Sequence, residues 1–243
     1  MPSEVIVDAP AALARVFAER FETAARHAIA THGRFACALP GGSVAEAFFP
    51  ALATAAVDWR RVDFFWGDER AVPPSDPDAN YALARRLWLD HVPLDPARVH
   101  RMRAEALDLD AAAAAYAREL SAALGGRPLD LVLLGVGPDG HVCSLFPTHS
   151  ALGESTRSVV AIDDSPKPPP RRLTLTLVAL AGVPLVCAAA FGSGKAAVVR
   201  EAIEAPASPL PVALAARAGL RSLFLLDPEA AGLLRPASVA PRR

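Results

Sequence analysis

Lysine is nearly absent from this sequence: of 25 basic residues, only Lys167 and Lys195 are lysines. Arginine serves as the generic surface cation, so a lysine that persists draws attention, and one of the two is expected to matter. Cysteine is scarce as well. Cys37, Cys143 and Cys187 are isolated among apolar residues and no C-x-x-C occurs, so neither a disulfide framework nor a structural zinc site is indicated. The start, MPSEVIVDAP, lacks the charged-then-apolar form of a signal peptide. No apolar run reaches the ~20 residues that a membrane span needs. Charge of one sign is missing too, and a net value of −1 gives no electrostatic reason to expect nucleic acid or an anionic membrane as partner. A soluble, cytoplasmic protein is expected.

What is plentiful is apolar surface, at 52% of 243 residues, enough to bury a large core. One domain over residues 1–243 is expected, with a frayed tail from 235 to 243. Helical and strand patterns alternate along the chain. EVIVDA reads as a strand, and Ala11 to His32 places Leu13, Val16, Phe17, Phe21, Ala24, Ala28 and Ile29 at helical spacing before Gly33. RFACALP is a second strand. Ser43, with Glu46 three residues on, has the spacing of a capping box at a helix start. RVDFFW is a strand, ANYALARRLWLDHV a helix, ARVHRM a short strand and 107–124 a helix closed by Gly125-Gly126. PLDLVLLG is the most buried strand; SVVAI, RRLTLT, PLVCAAAFG and RSLFLLD follow, with a helix at about 195–204 and a short one after the last strand. Such alternation implies a mainly parallel α/β sheet with helices on both faces. The proline-rich DDSPKPPPRR is short enough to be an ordered loop rather than an interdomain linker.

Polar clusters fall directly after predicted strands: GGS (Gly41, Gly42, Ser43), GDER (Gly67 to Arg70), GPDGH (Gly137 to His141) and GSGK (Gly192 to Lys195). In open parallel sheets, ligands bind at the carboxyl ends of the strands, so four clusters on one rim point to a single site.

Three familiar motifs are imitated without being met. Gly135 to Gly140 spells G-x-G-x-x-G, but only six residues separate Gly140 from Pro147, too few for the helix on which a dinucleotide pyrophosphate rests. Asp163 and Asp164 lie near the distance of a ribose-binding acid, which keeps that alternative open. GSGKA is not a P-loop: Ala189 stands where the first glycine belongs and Ala196 cannot hold magnesium. GGSVA resembles a nucleophile elbow, yet His149 is the last histidine, and capping plus anion binding through loop amides suits Ser43 better. His141, after a buried strand and two residues beyond Asp139, is the strongest candidate base; the plainer alternative is a loop histidine bonded to backbone. The Asp68, Glu69 and Arg70 charges could equally be a solvated loop.

Together, LPGGS, FFWGDERAVP, DANYALAR, LDLVLLGVGPDGHVCSLFP, PPRRLTLT, GSGKA and LFLLDPEA occur in the order and spacing of the 6-phosphogluconolactonase family, which the chain resembles from about Pro2 to Leu234. That resemblance implies a three-layer, Rossmann-like α/β fold and hydrolysis of 6-phospho-glucono-1,5-lactone to 6-phosphogluconate in the oxidative pentose phosphate pathway, with no metal or organic cofactor. His141 would be the general base, Asp139 its orienting partner, and Arg70 the cation facing the developing oxyanion, with Asp68 and Glu69 shaping the site. The 6-phosphate would rest on Gly41, Gly42 and Ser43, with Arg172 and Lys195 supplying charge. Two departures are visible. Ala79 replaces a frequent serine, and Phe146 stands where the related deaminases carry a glutamate. The second favours the lactonase over the phosphosugar isomerase or deaminase alternative. A phosphosugar-sensing regulator is expected to add a basic helix-turn-helix, for which no spare segment is seen.

Overall fold

The computed structural model describes residues 3–239. In chain order its first half comprises β1 (Glu4–Val7), α1 (Pro10–His32), β2 (Phe35–Leu39), α2 (Gly42–Leu52), β3 (Val62–Trp66), β4 (Asp68–Arg70), α3 (Asn80–Leu87) and α4 (Leu109–Leu124). The second comprises β5 (Leu131–Gly135), β6 (Val159–Ile162), β7 (Arg172–Leu175), α5 (Leu177–Leu180), β8 (Leu185–Ala190), α6 (Ala196–Glu204), α7 (Pro211–Ala218) and β9 (Ser222–Leu226). Six strands form one parallel sheet in the order β1-β9-β8-β5-β2-β3, flanked by helices. Every residue of β2 and β3 is buried, as expected of strands covered on both faces.

Helix α1 turns Leu13, Phe17, Phe21, Ala25 and Ala28 inward and ends at Gly33, whose φ of 82° is the left-handed C-cap. Phe21 meets Phe35 edge-on at 5.0 Å and Trp88 at 5.6 Å, joining helix, sheet and the segment after α3 in one aromatic cluster. Truncating such a ring to alanine costs about 3–5 kcal/mol.

The parallel topology positions the site. From β2 the chain winds outward to β3 at the sheet edge. It then returns to lay β5 on the other side of β2 and continues through β8 and β9 in the opposite direction. The winding therefore reverses between β2 and β5, and the crevice above this switch point is where open α/β sheets bind ligands. The strands that precede the four polar clusters, β8, β5, β2 and β3, are consecutive neighbours.

Several expectations are corrected. Within GDER, Asp68–Arg70 is a strand, β4, which joins β7 and β6 in a separate antiparallel sheet. ARVHRM forms no strand. Pro96, unable to donate to a ladder, opens a 3-10 turn capped by Asp95, and only Val99 bridges to Phe64. Helix α7, absent from the sequence reading, lies between α6 and β9. No α-helix follows β9 among the described residues; turns lead to a 3-10 turn at Pro236–Ser238. That part of the tail is tied down, since Glu204 accepts from the Arg235 N–H and guanidinium and from the Ser238 hydroxyl. Residues 240–243 lie outside the described residues. No helix of the described residues is long and apolar enough to cross a membrane.

Candidate functional site

A cavity of about 200 Å³ opens at the switch point, lined by Gly41, Gly42, Ser43, Asp68, Arg70, His141, Arg172 and Lys195 together with the ends of β2 and β5. Eight of the ten residues singled out from sequence thus meet in one crevice; Asp139 and Glu69 stand behind it.

The wall after β2 is backbone. Helix α2 starts at Gly42 with Gly41 at its N-cap, so Ser43 is not the cap and makes no capping hydrogen bond, contrary to expectation. The cap itself is held to glycine by a close approach: a Cβ on Gly41 would lie 1.7 Å from Asn80 Oδ1. Gly42 and Ser43 are exposed at the first turn of α2, where backbone N–H groups lack intrahelical partners and favour an anion. Lys195 faces the same cavity from the 3-10 turn Ser193–Lys195 that opens α6. Burial lowers its pKa, Asp227 opposes that shift and the Lys167 charge adds to it.

Strand β4 splits the GDER cluster by its alternation. Asp68 and Arg70 line the cavity, while Glu69 points away and accepts from the Asn80 and Tyr81 N–H groups at the start of α3, each at 2.8 Å. Glu69 therefore scaffolds α3 and is no part of the cavity wall, a correction to its expected place. Burial pushes its carboxyl up to about 7 against three backbone hydrogen bonds. Asp68 accepts from Ser144 Oγ at 2.7 Å and from Asn80 Nδ2 at 3.2 Å. Arg70 donates to the Asp78 carbonyl at 2.6 Å, while its buried Nε has no protein partner. A guanidinium with uncommitted donors beside a cavity is ready to bind a ligand oxygen.

Arg172 sits opposite Arg70 in the β4–β7 register. Its Nε donates to the Pro169 carbonyl at 3.0 Å, and its Nη2 donates to the carbonyls of Lys167 and Pro168 at 2.9 and 3.1 Å. Nη1 donates to Ser144 Oγ at 3.3 Å. With four of about five guanidinium donors engaged, Arg172 offers a ligand its charge and a single N–H.

His141 closes the other side. The turn that carries it is knotted by Gly137 N–H to the His141 carbonyl (2.8 Å) and Gly140 N–H to the Gly137 carbonyl (3.0 Å), and Val212 of α7 donates to the Gly140 carbonyl at 3.1 Å. A Cβ on Gly137 would fall 2.0 Å from the imidazole Nδ1, so the ring packs directly on glycine backbone. Nδ1 is 2.5 Å from Asp139 Oδ1. A carboxylate acceptor assigns the proton to Nδ1 and leaves the Nε2 lone pair free. Burial lowers the His141 pKa, and the Asp139 hydrogen bond and charge only partly reverse it, so the ring is neutral near pH 7. Phe146 packs 4.7 Å from the ring.

The chain as a whole has counterparts among known proteins. The profile of glucosamine-6-phosphate isomerases and 6-phosphogluconolactonases matches residues 8–224. The chain belongs to that family. The 6-phosphogluconolactonase of Streptomyces coelicolor is 42% identical over 94% of this chain and 93% of its own length. That of Mycobacterium tuberculosis is 45% identical over 85% and 88%. The solved 6-phosphogluconolactonase from Trypanosoma cruzi matches with a TM-score of 0.85 at 27% identity, covering 96% of this chain and 98% of that one.

Sequence reasoning missed three residues of this family member's site. Asn80 binds Asp68 and abuts Gly41, Ser144 bridges Asp68 and Arg172, and Lys167 places its Nζ 3.4 Å from His141 Nδ1. Lys167 carried a usable signal, being one of only two lysines. Asp163 and Asp164, the acids that kept a dinucleotide reading open, pair with Arg171 and His149. No helix follows Gly140 directly, so the G-x-G-x-x-G letters form a tight turn.

Proposed function

We propose that this chain hydrolyses 6-phospho-D-glucono-1,5-lactone to 6-phospho-D-gluconate, a step of the oxidative pentose phosphate pathway. The observation that carries the reading is the geometry: His141, its Nδ1 held by Asp139, shares one cavity with Lys195 and with the exposed first turn of α2 at Gly42 and Ser43. A lactone carbonyl is already electrophilic, so the chemistry needs a base, a water and a cation near the oxyanion.

Water attacks C1 as His141 Nε2 takes its proton, forming a tetrahedral oxyanion and an imidazolium that Asp139 stabilises. Arg70, with its uncommitted donors, faces the oxyanion. When the oxyanion collapses, the C1–O5 bond breaks and the imidazolium returns its proton to O5. That leaves a carboxylic acid at C1, which loses its proton to solvent to become the carboxylate, and a hydroxyl at C5. A positioned base contributes roughly 10²–10⁴-fold. The 6-phosphate rests on the Gly41, Gly42 and Ser43 segment with Lys195 as point charge and Arg172 as added field. Water, base and cations all come from solvent and the chain's own side chains. The reading therefore requires no cofactor. A sugar phosphate crosses membranes poorly because of its charge, so the enzyme must share a compartment with its substrate, which supports a cytoplasmic reading.

Phe146 supports the lactonase reading over a phosphosugar isomerase or deaminase, because an apolar ring against His141 offers no second acid–base group at the sugar ring. The test is hydrolysis of freshly generated lactone, corrected for its spontaneous opening, at several enzyme concentrations. Catalysis proportional to enzyme is the expected result. A rate equal to the spontaneous one at every concentration rejects the assignment.

A further inference from the structure

Asp139 and Lys167 both meet the Nδ1 edge of His141, and neither lines the cavity. Lys167 Nζ lies 3.4 Å from Nδ1 and 3.6 Å from Asp139 Oδ1. Because Nδ1 keeps its proton and donates it in a hydrogen bond to Asp139, that nitrogen has no lone pair left for an ammonium. The carboxylate is therefore the true partner of Lys167, and its effect on the ring is electrostatic.

The backbone beneath this lysine is fixed on both sides. Ser165 N–H donates to the Pro170 carbonyl at 2.9 Å and Ser165 Oγ to the Lys167 carbonyl at 2.8 Å. Arg172 holds the carbonyls of Lys167, Pro168 and Pro169. The donors of Arg172 that are spent on this loop thereby acquire a purpose: they seat a second cation behind the base.

We propose that Lys167 is a positioning residue, acting through Asp139 on His141: it shares the Asp139 carboxylate with the imidazole and so weakens that carboxylate's hold on the protonated ring. The inference rests on the lactonase reading for its kinetic consequences, though not for its effect on the histidine. Charged groups that face His141 are Asp139 from its own turn, Lys167 from the proline-rich loop and Asp68 from β4. Arg70, Arg172 and Lys195 share its cavity. Of these, Lys167 is the cation nearest Nδ1 among the hydrogen-bonded and ion-paired contacts, and its charge works in the same direction as burial, towards a neutral ring.

Lys167→Met removes the charge at nearly constant length, and Lys167→Arg keeps it. The experiment measures two things on each variant: the His141 ring titration by NMR, and the pH profile of kcat/KM. In Lys167→Met the titration midpoint of His141 rises. The acid limb of kcat/KM moves with it, so activity below neutral pH drops roughly five-fold, the effect of one unit charge at about 4 Å in a water-rich setting. Above neutral pH the variant approaches wild type, and Lys167→Arg keeps the limb near its original place. An unmoved midpoint in Lys167→Met overturns the proposal, as does a loss of activity equal at every pH, which is the mark of a merely structural role. A KM increase confined to the phosphorylated lactone and absent for unphosphorylated gluconolactone also overturns it, by assigning the ammonium to the phosphate. If wild type fails to hydrolyse the lactone at all, the function is wrong, and the NMR titration still decides the role of Lys167.

Discussion

Two histidines in this molecule each lie beside an aspartate and an aromatic ring, with opposite outcomes. His141 stands beyond the carboxyl end of the central strand β5, against Asp139 and Phe146, with its Nε2 edge towards the cavity. His100 lies beside the edge strand β3. It stacks on Phe65 at 4.5 Å and 7° and is held at both nitrogens, by Asp63 at 3.2 Å and Glu119 at 2.8 Å. Burial pulls both rings towards the neutral form. At His100 it is outweighed by two carboxylates, and the pKa rises. At His141 one carboxylate, shared with Lys167, does not suffice, and the pKa falls. A histidine saturated by acceptors is a structural cation. A histidine with one nitrogen held and one free is poised to move a proton.

Replacing each ring in turn breaks the symmetry most sharply. His141→Ala is expected to lower lactone turnover by roughly 10²–10⁴-fold. His100→Ala should leave turnover near wild type. Near-normal turnover in His141→Ala would remove its assignment as base. Gly137→Ala tests the seating of the ring while leaving the histidine in place: the new Cβ would overlap the imidazole, so a loss of roughly 10²-fold in kcat is expected from a displacement of about 1 Å. A fully active Gly137→Ala enzyme would show that the ring tolerates movement.

Lys195→Ala addresses the far end of the cavity. Affinity for 6-phosphogluconate is expected to fall by roughly 10-fold or more, while affinity for gluconate is unchanged, as measured by calorimetry. Equal losses for both ligands would place Lys195 outside the phosphate site.

The smallest effect is in stability. His100→Gln should cost about 1–3 kcal/mol, a fall of several degrees in melting temperature at pH 6. The raised pKa of His100 means that its contribution is complete below the ordinary 6.5 and lost as pH rises through the folded value. The lowered pKa of His141 gives the opposite slope: its contribution is present above 6.5 and lost as pH falls through the folded value. Thermal melts of His100→Gln and His141→Gln between pH 5 and 8 should therefore diverge from wild type at opposite ends of that range. Parallel curves would erase the distinction between the two rings.

Much of this was legible in the residues. RFACALP, RVDFFW, PLDLVLLG and PLVCAAAFG, each mostly apolar and followed by a glycine-bearing polar cluster, foretold parallel strands with their functional loops on one rim. The antiparallel β4–β7–β6 sheet was not legible, because three-residue β4 is too short for its alternation to be read. That gap misplaced Glu69. Read as a loop, Asp68, Glu69 and Arg70 belong together; as a strand, the middle one must turn away. Lys167 was equally obscure. Its rarity was visible, but a proline-rich loop has no periodicity from which to infer where a side chain points, and only the Arg172 hydrogen bonds bring it to His141. Helix α7, which holds the Gly140 carbonyl, escaped because it starts at Pro211 amid a proline-rich stretch.

The run of parallel strands could be read from the residues alone, and with it the convergence of Gly41, His141 and Lys195, because parallel strands send all their carboxyl ends to one side of the sheet. Arg70 reaches the same crevice through β4, whose antiparallel pairing only the fold reveals. Which of the neighbouring polar groups meet the ligand and which support it was decided only by tertiary structure. Side-chain direction in a short strand, and the partners of a long flexible cation, depend on contacts between segments far apart in the chain.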